Sequence, residues 1–213
     1  YQLKTKSGIM ITGSHNPPEY NGFKIVINSK TLSTDDIQAL YKRIIKEKYL
    51  IGKGKMSNSD LKPAYLKKIY SDIKLARPIR VAIDCGNGAA SICAEELYKG
   101  IGAQVESLFC NIDGNFPNHH PDPSNLKNLV SLQEALLKGE SELGLAFDGD
   151  GDRLGVVTKK GEIIFPDRQL LLFAEDVLKK NPGASIIFDV KSTRHLFSWI
   201  EDRGGIPIIW KTG

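Results

Sequence analysis

At 213 residues and 41% hydrophobic content, the chain can bury substantial cores and form one or two domains, with room for partial ones. Its formal charge of +4 comes from dispersed lysines rather than a basic block interleaved with aromatics, which argues against a nucleic-acid track and suits small anionic substrates. No apolar run approaches the ~20 residues of a bilayer span, the opening Tyr1-Gln2-Leu3-Lys4 lacks the apolar core of a secretion signal, and Cys85, Cys93 and Cys110 show no paired spacing, which leaves no membrane segment, disulfide framework or zinc cluster. A cytoplasmic address with reduced, mostly buried thiols is expected.

Gly8 to Thr12 reads as a short buried strand and Phe23 to Ile27 as another, with a polar, proline-bearing loop between them. A helix should start near Ser33 or Thr34, with Asp35 and Asp36 in its first turn and Ile37, Leu40, Tyr41, Ile44 and Ile45 on one apolar face. Gly52 to Asn58 is polar and aperiodic, a linker that places a domain boundary near residue 58; its Gly-Lys-Gly-Lys is too short for a nucleotide-binding loop. Pro63 suits the first turn of a helix whose face is Tyr65, Leu66, Ile69 and Tyr70.

The alternation then becomes regular. Strand Ile79 to Asp84, helix Ala89 to Lys99, strand Val105 to Phe109, helix Ser124 to Lys138 and strand Leu143 to Phe147 make a βαβαβ unit. Gly86-Asn87-Gly88 echoes a dinucleotide loop, but Ser91 replaces the third glycine, so a plain turn is expected. After Gly155-Val156-Val157 come helix Asp167 to Lys179, strand Ser185 to Val190, helix Thr193 to Asp202 and strand Pro207 to Trp210. The expected fold is α/β, with consecutive domains of mixed or mainly parallel sheets. The expected divisions are residues 1–58, 59–160 and 161–213, the first and third partial, in a fragment of a longer protein.

Phe147-Asp148-Gly149-Asp150-Gly151-Asp152-Arg153 follows the apolar run Leu143 to Phe147. Three carboxylates this close repel one another unless a cation neutralises them, and acids joined by glycines can wrap their oxygens around one hard divalent ion such as Mg²⁺. A calcium hand would need glycine and glutamate where Arg153 and Lys159 stand. An aspartyl phosphotransferase would use Asp148 and Asp150 but would place a hydroxyl or β-branched residue where Asp152 stands. A solvated acidic turn has no need of the apolar strand that feeds it. The loop falls at a strand's carboxyl end, where open parallel sheets collect ligands.

Thr12-Gly13-Ser14-His15-Asn16-Pro17-Pro18 joins the first two strands, and its accessible Ser14 is the candidate for nucleophilic or phosphoryl-carrying chemistry. A serine hydroxyl needs a base or a metal-polarised partner, which His15, Lys24 or the acid loop can supply; a proline turn capping a strand is the plain structural alternative. His119 and His120 are adjacent in a proline-rich loop and suit packing or hydrogen bonding better than a shared ion. Arg168 and Arg194, on helices, read as surface or interdomain partners.

Thr12 to Pro17 matches the Thr-(Ala/Gly)-Ser-His-Asn-Pro loop, and Asp148 to Arg153 the Asp-Gly-Asp-Gly-Asp-Arg loop, of the α-D-phosphohexomutases. With Asn21 to Lys24 and Phe116 to Pro123 also similar, the chain resembles that family's bacterial phosphomannomutase/phosphoglucomutase branch over nearly its whole length. The resemblance implies a mutase that moves phosphate between C6 and C1 of a hexose through phosphoserine and a hexose 1,6-bisphosphate. It implies that Ser14 carries the phosphoryl group and that Asp148, Asp150 and Asp152 hold Mg²⁺ with a seryl phosphate oxygen. Arg153 would pair with that phosphate, Lys24 would move the sugar hydroxyl's proton, His15 and Asn16 would line the site, and Lys191 would contact substrate. Family members have four domains around a cleft, so this stretch by itself should turn over poorly. The alternatives are an aspartyl phosphatase or phosphotransferase phosphorylated on Asp148 and a non-catalytic phosphate-binding module.

Overall fold

The computed structural model describes residues 3–212; Tyr1, Gln2 and Gly213, which open and close the sequence, lie outside them. Its strands form three separate sheets. The first is antiparallel, with β1 (Gly8–Ile11) beside β2 (Phe23–Ile27) and β2 beside β3 (Lys30–Thr31). Asn28 and Ser29 both take positive φ, 50° and 65°, so β2 turns directly into β3, a strand the sequence reading does not contain. Helix α1 (Thr34–Ile45) begins where expected, with the Ser33 N–H donating to the Asp36 carboxylate at 2.9 Å.

One expectation fails in this unit. The strand Gly8–Ile11 is exposed, not buried, with Ile9 at 64% and Ile11 at 68% exposure, because no described element lies over it. The α1 face is exposed as well. An apolar pattern specifies a face to be covered but does not say that a cover is present.

Helix α2 (Lys62–Asp72), with Pro63 in its first turn, leads into the second sheet. Its order is β5-β4-β6-β7-β8, in which β4 (Arg80–Asp84), β5 (Gln104–Leu108) and β6 (Leu143–Phe147) are parallel, β7 (Leu154–Thr158) pairs antiparallel with β6, and β8 (Ile163–Ile164) pairs antiparallel with β7. Strand β8 joins this sheet although it lies beyond residue 160.

Strand β4 shows why the sheet is covered on both sides: Val81, Ile83 and Cys85 enter one core with Ala90, Ala94 and Ala103, while Ala82 enters the other with Leu129, Leu132, Leu136, Ala146 and Val157. The flanking helices α3 (Ala94–Gly100) and α4 (Val130–Lys138) are shorter than expected, each preceded by a 3₁₀ turn, Ala89–Ile92 and Leu126–Leu129. Local bonds explain both breaks. The Ala89 N–H donates to the Gly149 carbonyl at 2.9 Å, and the buried Asn128 amide donates to the Asp122 carbonyl at 2.9 Å, which ties each first turn to a loop.

In the third unit, α5 (Pro166–Lys180) and α6 (His195–Glu201) pack on the parallel pair β9 (Ser185–Asp189) and β10 (Ile206–Trp210) through Ala174, Leu178, Ile186, Phe188, Leu196 and Ile200. All three cysteines are free, but Cys85 alone is buried; Cys93 and Cys110 are partly exposed, which corrects the expectation of mostly buried thiols. Among the described residues no helix is long and apolar enough to cross a membrane.

Candidate metal centre

Strands β4 and β6 end on the same edge of the second sheet, and the turn after each meets the other. Gly86 and Asn87 take positive φ, 50° and 60°, and a Cβ on Gly88 would stand 2.8 Å from the Gly149 carbonyl oxygen, so the two turns touch backbone to backbone. The acid loop is closed on itself. Arg153 N–H donates to Asp148 Oδ1 at 3.0 Å, Gly151 N–H to the Asp148 carbonyl at 3.0 Å, and Gly149 N–H to the Pro121 carbonyl at 3.1 Å.

The serine loop reaches this edge from the first unit. Thr12 N–H donates to the Gly22 carbonyl at 3.0 Å and Asn16 N–H to the Gly13 carbonyl at 2.9 Å, closing a turn in which Ser14 takes φ +53°. The two loops are in contact: a Cβ on Gly149 would lie 2.2 Å from the Ser14 carbonyl oxygen. Arg153 Nη2 donates to Ser14 Oγ at 3.3 Å and also meets His15 Nδ1, while Arg153 Nε lies 3.6 Å from Asp148 Oδ2. Ser14 Oγ and His15 Nδ1 are 3.2 Å apart. Because Nδ1 faces the guanidinium, it is an acceptor whose single lone pair is directed at Arg153, with the serine hydroxyl beside it.

One carboxylate oxygen from each of Asp148, Asp150 and Asp152 lies within 4.8 Å of the others. Asp148 is wholly buried, and Asp148 Oδ2 and Asp150 Oδ1 are enclosed without a hydrogen-bond partner. Two orphaned oxygens in an all-carboxylate set fit a hard divalent cation. Burial, then the charges of Asp150 and Asp152, push the Asp148 carboxyl above its usual range. Burial acts the same way on Asp150, but the Thr12 hydroxyl and the Lys24 ammonium outweigh it and hold that carboxyl low. Lys24 Nζ donates to Asp152 Oδ2 at 2.9 Å and to Asp150 Oδ2 at 3.1 Å, and these bonds raise its own pKa.

Ser14, His15, Lys24, Arg153 and the three aspartates therefore stand together. Asn16 shapes the serine turn through its backbone. Lys191 stands apart: it is exposed after β9, its N–H donates to Asp189 Oδ1 at 2.7 Å, and among the described residues no hydrogen bond or ion pair joins it to either loop. His119 is bound to Asp84, at 3.0 and 3.1 Å, so its role is the expected hydrogen bonding. Sequence reasoning gave no role to Thr12 or Gly149, although both stand inside the quoted motifs; Thr12 Oγ1 donates to Asp150 Oδ2 at 2.7 Å. Ser14 and Asp150 also line an open cleft of about 400 Å³ with Asn16, Tyr20 and Phe116.

The fold and site define an α/β protein in which a serine turn is packed against a cation-type acid loop at the carboxyl edge of a sheet. Two sequence profiles, for the phosphoglucomutase/phosphomannomutase alpha/beta/alpha domains I and II, match residues 1–50 and 63–161, and the chain belongs to this family of α-D-phosphohexomutases. It is 54% identical over 211 residues to a phosphomannomutase/phosphoglucomutase of Pseudomonas aeruginosa, covering 99% of this chain and 46% of that protein. It is 56% identical over 209 residues to a phosphoglucomutase of Neisseria gonorrhoeae, covering 97% and 45%. The crystal structure of a phosphoglucomutase/phosphomannomutase family protein from Burkholderia thailandensis superposes with TM-score 0.95 at 53% identity, covering 97% of this chain and 45% of that one. The chain spans about half the length of the curated relatives it matches.

Proposed function

We propose that the protein is a phosphosugar mutase that moves phosphate between C6 and C1 of a hexose by way of phosphorylated Ser14. The observation that carries this is the meeting of Ser14 Oγ, Arg153 and the acid loop at one sheet edge, with Arg153 Nη2 at 3.3 Å from the hydroxyl. The sugar hydroxyl attacks the seryl phosphorus, the P–Oγ bond breaks, and a hexose 1,6-bisphosphate forms. The bisphosphate turns over in the cleft and returns its other phosphate to Ser14.

Arg153 and Lys24 neutralise the phosphoryl oxygens during each transfer. With the Arg153 guanidinium turned from His15 to the phosphoryl oxygens, Nδ1 is free to take the Ser14 proton when the serine is phosphorylated and to return it when the serine leaves. Lys24 moves the proton of the sugar hydroxyl: as an amine it takes that proton when the hydroxyl attacks, and as the ammonium that its bonds to Asp152 and Asp150 favour it delivers the proton to the departing sugar oxygen in the return transfer. Asp148, Asp150 and Asp152, with an oxygen of the seryl phosphate, would hold Mg²⁺, which supplies charge stabilisation to the transferring group. Asn16 lines the site, and Lys191 is the proposed substrate contact of the third unit. Mannose or glucose phosphates are the proposed substrates, in the cytoplasm, with domain divisions near residues 58 and 160.

An aspartyl phosphotransferase would need Asp148 as nucleophile. That carboxylate is wholly buried, its Oδ1 accepts the Arg153 N–H, and it does not line the cleft, whereas Ser14 does. Mass mapping after incubation with hexose 1,6-bisphosphate tests the proposal: phosphate on Ser14 is expected, and phosphate on Asp148 would overturn it. Ser14 phosphorylation without conversion of glucose 1-phosphate or mannose 1-phosphate by the full-length protein would favour a non-catalytic phosphate-binding module.

A further inference from the structure

Thr12 Oγ1 lies 2.8 Å from the Ser14 amide nitrogen on its own loop and 2.7 Å from Asp150 Oδ2, 138 positions from Thr12 on the other. A hydroxyl has one proton. The amide of Ser14 must donate, so Thr12 Oγ1 accepts there and gives its only proton to the carboxylate. The bridge is thus polar in one sense, from Ser14 through Thr12 to Asp150. At one end it holds a serine at φ +53°, a left-handed backbone that a non-glycine residue keeps only when its surroundings fix it. At the other it fixes Asp150 Oδ2, leaving the enclosed, unpartnered Oδ1 of the same carboxylate free for a ligand.

We propose that Thr12 is a positioning residue that sets the register between the Ser14 hydroxyl and the Asp150 arm of the cation site. It touches neither substrate nor ion; it acts through both loops. The inference rests on the mutase reading for its catalytic consequence, but its effect on cation affinity stands without it.

Thr12→Val keeps the shape and removes both bonds, and Thr12→Ser keeps the hydroxyl. In the full-length protein, Mn²⁺ binding followed by electron paramagnetic resonance should weaken about tenfold in Thr12→Val, the scale expected for a lost bond to a charged group. In the same variant kcat should fall at least about tenfold with KM within about twofold, since the lost contact orients reacting groups and does not bind sugar. Thr12→Ser should restore both readouts to within about threefold. Melting of the ion-free variants establishes folding, and Thr12→Ala serves where Thr12→Val does not fold. Mn²⁺ affinity within about twofold of the parent in the hydroxyl-less variant, or Thr12→Ser as weak as Thr12→Val, would overturn the proposal. Absence of mutase activity in every protein, the parent included, would instead count against the mutase reading, while the Mn²⁺ titration still decides the role of Thr12.

Discussion

Asp148 is enclosed, faces two like charges and leaves one oxygen without a hydrogen-bond partner, so that burial outweighs the Arg153 guanidinium nearby and its ionised form costs the ion-free protein stability. Asp148→Asn removes the charge while keeping an oxygen for the Arg153 N–H. It is expected to raise ion-free stability by about 1 kcal/mol and to abolish the stabilisation that Mg²⁺ gives the parent; denaturant melts with and without the ion measure both. At the serine, Ser14→Ala should abolish phosphate labelling, whereas Lys24→Ala should keep the label and slow its transfer to sugar by about 100-fold in single-turnover assays. Equal transfer rates would remove Lys24 from proton delivery. These residues were legible in the sequence because a serine loop and three alternating acids are chemically conspicuous. The bond from Thr12 to Asp150 was not, because a hydroxyl's partner 138 positions away is set by packing and leaves no local pattern.

Among elements, the loop from Phe116 to Pro123 braces the site from behind, and its anchor is His119. Both ring nitrogens face acceptors, Nε2 the Asp84 carboxylate and Nδ1 the His120 carbonyl at 3.0 Å, so the ring is held as imidazolium. The Asp84 bond foremost raises the His119 pKa above its ordinary value near 6.5. A raised folded value means that this contribution is complete below the unfolded value and is lost as pH rises through the folded one. Chemical denaturation should therefore show stability declining above about pH 6.5 in the parent and not in His119→Ala, which should itself cost about 3 kcal/mol by leaving the buried Asp84 charge with the Gly86 N–H and no cation. A flat parent profile would contradict this pairing. Gly149→Ala should force apart the loops whose backbones meet there and lower turnover more than tenfold, on the scale of an overpacked contact. The βαβαβ order was legible because two-sided burial writes continuous apolar strands. The 3₁₀ turns were not, since bonds to neighbouring loops interrupt helices whose apolar spacing continues unbroken.

For the whole molecule, the site is assembled from loops of the first and second units, while among the described residues no hydrogen bond or ion pair joins the third unit to its side chains. Tyr20 and Asn16 line the near side of an open cleft, but nothing described here holds the far phosphate of a hexose bisphosphate. The 213-residue chain by itself is expected to accept phosphate on Ser14 yet convert glucose 1-phosphate at least about 100-fold more slowly than a protein of the relatives' full length, because positioning of the distal end is lost. Strand β1 and helix α1 were legible in their apolar patterns, but the burial expected of β1 was not met, because covering layers are a property of the assembled molecule. Phosphorylated Ser14 and the three aspartates are proposed to share one divalent ion. Anomalous diffraction from Mn²⁺-loaded crystals of the phosphorylated protein tests it directly. A single ion bonded to oxygens of Asp148, Asp150 and Asp152 and to the phosphate on Ser14 is expected; an ion bound elsewhere, or a seryl phosphate turned away from it, would rule out the shared site.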